Sequence, residues 1–298
     1  MLIGKIGEFG LIERIKKMVR TDPSVIRGPG DDCAVLRFNR NSYQLFTCDM
    51  IAEGIDFVRN ENPLLIGRKA IAVSISDIAA CGGIPRYCVV TIGLPKNSRV
   101  ETVDKMLKGM LDICRTYRVN IVGGDLSRLN RLTIDVSMLG VVEKRNLVLR
   151  SGAKEGDIIC VTGRLGGSIA GKHLRFIPRV KEARFLVENF KIHAMIDISD
   201  GLIQDLSHIL KASKTGAVVY EELIPLAPQA ASRQEALYAG EDFELLFTLS
   251  KQEARRLLSK KPSGFSIIGQ IVDKRFGLQL VGRDGSRRIE NGRGYRHF

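Results

Sequence analysis

Asp31, Asp32, Asp49, Asp125, Asp197 and Asp200 stand at strand ends or in loops, several beside glycine, and Asp77 stands inside an apolar stretch. Loops at strand ends are where a rigid scaffold fixes groups yet leaves them reachable. Carboxylates converging without His or Cys describe a hard-cation site, which means Mg²⁺ rather than Zn²⁺. An Mg²⁺ held partly by protein carboxylates is typically completed by substrate phosphates. Taken singly, each Asp reads as well as a helix cap or an Asx turn. Asp200, in Ser199-Asp200-Gly201-Leu202, has the placement of an N-cap. Whether the set converges depends on the fold.

Asp77 is the most constrained of them. From Pro63 to Pro85 the chain reads as one helix, with Pro63 at a first helical position and Gly82-Gly83 at the stop. Between Ala70 and Gly83 the residues are apolar or small, apart from Ser74, Ser76 and Asp77, as expected of a core helix. An ionised carboxylate there needs a cation, a hydrogen-bonding network or a proton.

Three further stretches bear on chemistry. Gly166-Gly-Ser-Ile-Ala-Gly-Lys172-His173 matches Gly-x-x-x-x-Gly-Lys, but His173 stands where a phosphate-binding loop carries Ser or Thr. It reads either as a weak phosphate loop or as a Gly-rich helix start with a surface lysine. Arg150 to Asp157 offers a cation beside a flexible turn, suited to an ATP phosphate or to a solvated hairpin. Glu241-Asp242 follows Gly240, placed to bind a cationic or hydroxylated group or simply to start a strand.

Composition narrows the classes. The 298 residues are 44% hydrophobic and 27% charged, ordinary for a globular chain long enough for two domains. The net charge of +13 favours anionic partners such as phosphorylated small molecules. With aromatics at 6% and no Trp, a stacking platform for bases is poorly supplied, which argues against nucleic acid. Six Cys without a Cys-x-x-Cys pair suggest reduced, mostly buried thiols and hence a cytoplasmic protein. The four His lack zinc spacing. Lys5, Glu8 and Glu13 interrupt any signal-peptide core, and no apolar run is long enough to span a membrane.

The elements that must position these groups follow from periodicity. Residues 7–20 and 100–117 show helical spacing, the first read as plain packing. Leu132 to Met138 alternates as a half-buried strand, antiparallel to a neighbour. Apolar runs predict strands at 33–38, 43–48, 87–94, 119–122, 157–162, 193–198, 217–220, 243–249, 265–272 and 278–281, and helices at 202–212 and 252–258. Helices and strands mix in both halves without strict alternation, so the expected class is α+β, with two mixed α/β domains at 1–147 and 148–298.

With these residues assembled, the chain resembles the thiamine-monophosphate kinase family, in the superfamily of aminoimidazole ribotide synthetase and selenophosphate synthetase. The resemblance lies in Gly7 to Ile12, Gly30 to Leu36, Asp49 to Phe57, Lys69 to Gly82, Gly123 to Asp125, Arg150 to Asp157, Ile196 to Leu202 and Gly240 to Phe247, all in family order. It implies transfer of the γ-phosphoryl of ATP to thiamine monophosphate, giving thiamine diphosphate. It also implies a homodimer whose N-terminal domains pair into a barrel-like sheet. Asp32, Asp49, Asp77, Asp125 and Asp197 match Mg²⁺ ligands, Asp200 the ligand of a further ion, and Thr47 and Cys48 oxygen ligands, Cys48 through its carbonyl. Gly124, Asp125, Arg150 and Ser199 match ATP contacts. Asp56, Glu241 and Tyr295 match the substrate-binding positions, where an aromatic ring can stack on the thiazolium cation. No protein nucleophile is implied, in keeping with phosphoryl transfer by positioning and charge neutralisation. Three departures mark this chain: Asp56 replaces a His, Cys48 replaces the Thr of a Thr-Asp pair, and the segment between Gly171 and His193 is shorter and lacks a helix. They motivate an alternative, a related kinase or synthetase of the superfamily acting on another acceptor.

Overall fold

The computed structural model describes residues 2–260 and 264–295; His297 lies outside them. The N-terminal half runs α1 (Ile3–Met18), β1 (Val25–Arg27), β2 (Ala34–Arg37), β3 (Ser42–Ala52), α2 (Pro63–Ala80), β4 (Ile84–Leu94), α3 (Val100–Tyr117), β5 (Asn120–Arg128) and β6 (Thr133–Glu143). The C-terminal half runs β7 (Ile158–Thr162), α4 (Lys172–Arg175), α5 (Val180–Asn189), β8 (Ile192–Asp197), α6 (Leu202–Ser213), β9 (Gly216–Tyr220), α7 (Arg233–Tyr238), β10 (Leu245–Leu249), α8 (Lys251–Ser259), β11 (Phe265–Val272), β12 (Leu278–Val281) and β13 (Arg287–Glu290).

Two mixed sheets result. The six-stranded sheet has the order β1-β2-β3-β6-β4-β5, antiparallel except for the parallel pair β4–β5. The seven-stranded sheet has the order β13-β12-β9-β11-β7-β10-β8, antiparallel except for β12–β9. Two mixed α/β domains are therefore present, each with its own sheet.

Helix α2 lies between them. Asn62 caps it, its Oδ1 accepting from the Leu64 N–H at 3.1 Å, and Gly82 ends it with φ +74, a conformation glycine adopts at little cost. Fourteen of its residues are buried, Lys69, Ser74 and Ser76 among them. Its N-terminal half meets α3 so closely that a Cβ on Gly67 would lie 2.0 Å from the Met106 carbonyl oxygen. Its other neighbours include β3, β6, α4, α5 and β8, so it touches both halves.

Helix α1 packs through side chains none of which is fully buried: Phe9 meets His208 edge-to-face at 5.0 Å and Glu13 pairs with Lys211 of α6 at 3.1 Å. Two expectations are corrected. The segment 171–193 does contain helix, α4 and then α5, whose Ala183, Leu186 and Val187 are buried at helical spacing. Residues 241–244 are not strand; Glu241 and Phe243 have φ +57 and +50, which a strand excludes.

Candidate active site

The carboxylates meet in the C-terminal half of α2, at Ser74, Ser76 and Asp77. Thr47 and Asp49 alternate with Cys48 along β3, so their side chains face α2 while Cys48 faces outward. Thr47 Oγ1 donates to Asp77, Ser74 Oγ to Asp49 at 2.8 Å, and Ser76 Oγ to Asp197 at 2.5 Å. Asp197 closes β8, so the last bond ties the two sheets together through α2. Carboxylate oxygens of Asp32, Asp77 and Asp197 lie within 4.8 Å of one another. Asp32 Oδ2 is buried with no hydrogen-bond partner.

Burial, reinforced by the neighbouring carboxylates, pushes Asp32 up to about 7, and Asp49 and Asp197 up to about 6. Asp77 is driven well above the ordinary range for the same two reasons. Such a group of oxygen donors, with one acceptor unpaired, has the chemistry of a hard divalent cation site.

Arg150 lies beside the cluster. Its Nε and Nη2 both donate to Asp32 Oδ1, at 3.1 and 2.7 Å, and its backbone N–H donates to Asp31 at 3.0 Å. Asp31 in turn accepts from Arg27 at 3.1 Å. Asp31, grouped by sequence with the candidate cation ligands, is thus engaged by Arg27 and the Arg150 backbone. A cavity of about 570 Å³ opens over Arg150 between α1 and α6, with Glu13, Lys16, His208 and Lys211 in its walls. Asp200 is not the N-cap of α6. Gly201 occupies that position, and the buried Asp205 reaches back to accept from the N–H groups of Asp200 and Gly201, both at 3.1 Å. Asp200, Asp205 and His208 form a separate grouping, in which burial holds His208 down to about 4, hence neutral.

A second cavity, of about 400 Å³, lies along the middle of α2, at Lys69 and Val73. Asp56, Glu241 and Tyr295 all line it, with Asp49 at one end. Lys69, fully buried, donates to Glu241 Oε1 at 2.5 Å and to the Asp56 carbonyl at 2.8 Å. The left-handed φ of Glu241 turns it inward, and its N–H is held by the Ser199 carbonyl at 2.7 Å. Asp56 is turned to its own loop, its Oδ2 accepting from the Ala52 N–H at 2.8 Å. The two cavities share Ser199 and Asp200.

Other sequence-derived candidates lie elsewhere. Gly124 and Asp125 are exposed on the edge strand β5. Register places Asp125 opposite Thr91, Thr91 opposite Asp135, and Asp135 opposite Met50. That row is on the sheet face opposite to Asp49, so Asp125 does not join the cluster. A Cβ on Gly124 would lie 1.9 Å from the Val90 carbonyl oxygen, which accounts for its glycine. Exposed Cys48 has Sγ 3.2 Å from Asp135, so its side chain ligates nothing in the cluster.

The Gly166–Lys172 stretch is not an open phosphate loop. Its anion seat is filled by Asp242, which accepts from the Gly166 N–H at 2.9 Å, Ser168 Oγ at 2.6 Å and Lys172 Nζ at 3.0 Å. Sequence reading also missed roles for Lys69, Ser74, Ser76, Asp205 and His173. For Lys69 a signal existed, since a lysine opening an apolar helix face must find a partner once buried.

Residues 30–142 match the family "AIR synthase related protein, N-terminal domain" and residues 137–281 its C-terminal domain, which is the class this two-sheet fold defines. A thiamine-monophosphate kinase of Buchnera aphidicola is 34% identical over 98% of this chain and 98% of its own length. One of Rhodopirellula baltica is 38% identical over 83% of each. The solved structure of AaThiL complexed with AMPPCP and TMP superposes with a TM-score of 0.88 at 30% identity, over 100% of this chain and 99% of that one. The chain belongs to the thiamine-monophosphate kinase family.

Proposed function

We infer that this chain transfers the γ-phosphoryl of ATP to thiamine monophosphate, yielding thiamine diphosphate and ADP. The observation that carries the reading is the meeting of two cavities at Ser199 and Asp200, beside a cluster of carboxylates. One cavity has the cation Arg150 for a nucleotide phosphate, and the other has Glu241 and an aromatic ring for a cationic acceptor. Solved AaThiL carries an ATP analogue and TMP together on the same fold.

Mg²⁺ is the cation proposed for the cluster, held by Asp32, Thr47, Asp49, Asp77 and Asp197, with Asp200 for a further ion. When bound, Mg²⁺ neutralises charge on the transferring phosphoryl. The residues of the chain do the positioning. Arg150 stays with Asp32 and the nucleotide phosphates. Ser199 sits where donor and acceptor meet. Lys69 holds Glu241 toward the acceptor. An acceptor phosphate oxygen attacks the γ-phosphorus and ADP leaves, so no protein nucleophile is required.

Three finer assignments belong to this reading. The domains divide at 147/148. The chain forms a homodimer through the six-stranded sheet, whose outer face carries exposed Phe46, Met50, Tyr87 and Val89 and whose edge strand exposes Val122 and Leu126. Gly124 and Asp125 then lie at that interface as nucleotide-side groups, and the sheets close into a barrel-like arrangement. Among the described residues no helix is long and apolar enough to cross a membrane; cytoplasmic residence is proposed from the unpaired cysteines.

Incubating the full chain with Mg·ATP and thiamine monophosphate, and separating the products, tests the reading. Thiamine diphosphate should form in step with ADP, and Asp49→Asn should abolish it. Tight Mg·ATP binding without phosphorylation of thiamine monophosphate would move the assignment to another acceptor.

A further inference from the structure

The segment Gly166–His173, idle as a phosphate loop, forms part of the acceptor cavity: Ile169 and His173 both line it. His173 Nδ1 lies 2.9 Å from the Ser168 carbonyl oxygen. A carbonyl only accepts, so Nδ1 carries the hydrogen, and in the neutral ring Nε2 keeps its lone pair. Lys172 next to it is spent on Asp242 and on the Arg164 carbonyl, at 3.0 and 2.7 Å. His173 is thus the polar side chain that this segment offers to the cavity.

Its position along the cavity follows from α2. Arg68 donates to the carbonyls of Leu174, at 3.3 Å, and Phe176, which anchors α4 to α2 one residue from Lys69. Lys69 and Asp77 are eight residues apart on one helix, about 12 Å at 1.5 Å per residue. The acceptor phosphate has to lie at the carboxylate end, near Asp49 and Asp200. His173 therefore faces the other end of the acceptor, its rings. Asp56 is turned toward its own loop, its Oδ2 accepting from the Ala52 N–H at 2.8 Å. Phe243, stacked on Phe176 at 4.0 Å between ring centroids, and exposed Ile55, Val58 and Ile169 make the rest of that end largely apolar.

We propose that His173 is a specificity-determining residue whose Nε2 accepts a hydrogen bond from the exocyclic amino group on the acceptor's pyrimidine ring. The inference rests on the reading of the acceptor as thiamine monophosphate. An unpaired donor on the substrate, or an oxygen in its place facing the Nε2 lone pair, then costs binding, whereas the apolar wall alone discriminates weakly.

The test compares thiamine monophosphate with the analogue whose pyrimidine amino group is replaced by a carbonyl oxygen. The wild-type chain should favour the amino substrate by at least about tenfold in kcat/KM, the scale of one hydrogen bond to a neutral partner. His173→Leu should raise the KM for the amino substrate about tenfold, leave the KM for ATP unchanged and reduce the preference to near unity. His173→Phe keeps the ring without the acceptor atom and should do the same if the Leu variant folds poorly. His173→Gln, which offers an amide oxygen, should recover part of the preference. Discrimination unchanged in both Leu and Phe variants overturns the inference while leaving the kinase reading intact. An equal loss of kcat on both substrates also overturns it. If the wild type does not phosphorylate thiamine monophosphate at all, both readings fall together.

Discussion

The carboxylate cluster makes the stability of the metal-free protein depend on pH in a specific direction. Asp197 is buried and accepts from Ser76 at 2.5 Å, yet burial and its like-charged neighbours raise it from 3.8 to about 6. A carboxyl raised on folding binds its proton more tightly in the folded than in the unfolded chain. Between pH 4 and 6 the folded state therefore holds more protons, and stability falls as pH rises, levelling off above about 6. A shift of roughly two units corresponds to about 3 kcal/mol for this group. In a chain of this size that is on the order of 6–12 °C in Tm. Asp32, raised to about 7, extends the decline toward neutrality. Bound Mg²⁺ favours the ionised carboxylates and opposes the trend, stabilising by mass action.

Thermal unfolding followed by scanning fluorimetry from pH 4 to 8, in EDTA and in excess Mg²⁺, measures this. The EDTA curve should fall with pH and the Mg²⁺ curve should stay nearly level. Asp197→Asn preserves shape and the Ser76 bond, because the amide oxygen still accepts. It should flatten the EDTA curve, raise Tm at pH 8 and weaken the response to Mg²⁺. An EDTA curve that is level or rises with pH, identical in wild type and variant, refutes the reasoning.

Other expectations concern separate parts of the site and fold. Lys69→Met matches the buried volume but frees Glu241, so the KM for the acceptor should rise about tenfold in steady-state assays with the KM for ATP little changed. Arg150→Lys loses the two-pronged contact with Asp32 and should raise the KM for ATP, read by varying ATP at saturating acceptor. Gly67→Ala places a methyl 2.0 Å from the Met106 carbonyl oxygen and should destabilise by about 1–3 kcal/mol or more in urea unfolding. Val89→Asp, on the exposed outer face of the six-stranded sheet, should yield monomer in light scattering if that face is the dimer contact.

Much of this protein is legible in its sequence because the signals are local. Pro63, an apolar run and Gly82-Gly83 are enough for α2, and the spacing of Met106, Met110 and Cys114 is enough for α3. Alternation from Leu132 to Met138 is enough for β6, since one face of that strand is buried. The types of the aspartates, without His or Cys partners, already specify hard-cation chemistry.

What required the tertiary structure is long-range or conformational. Ser76 and Asp197 are 121 residues apart, and only the packing of α2 against β8 joins them. Asp49 and Asp125 look equivalent as letters after a strand, but the registers of β3, β6, β4 and β5 put them on opposite faces, because side chains alternate at every residue. Lys172 reads as a phosphate ligand until Asp242, 70 residues away, is found in the anion's place. Glu241 reads as the start of a strand until its left-handed φ turns it toward Lys69. Sequence thus determined which groups were available and which elements carry them. Packing decided which of those groups face one another, since a charge's partner is set by three-dimensional proximity and not by spacing along the chain.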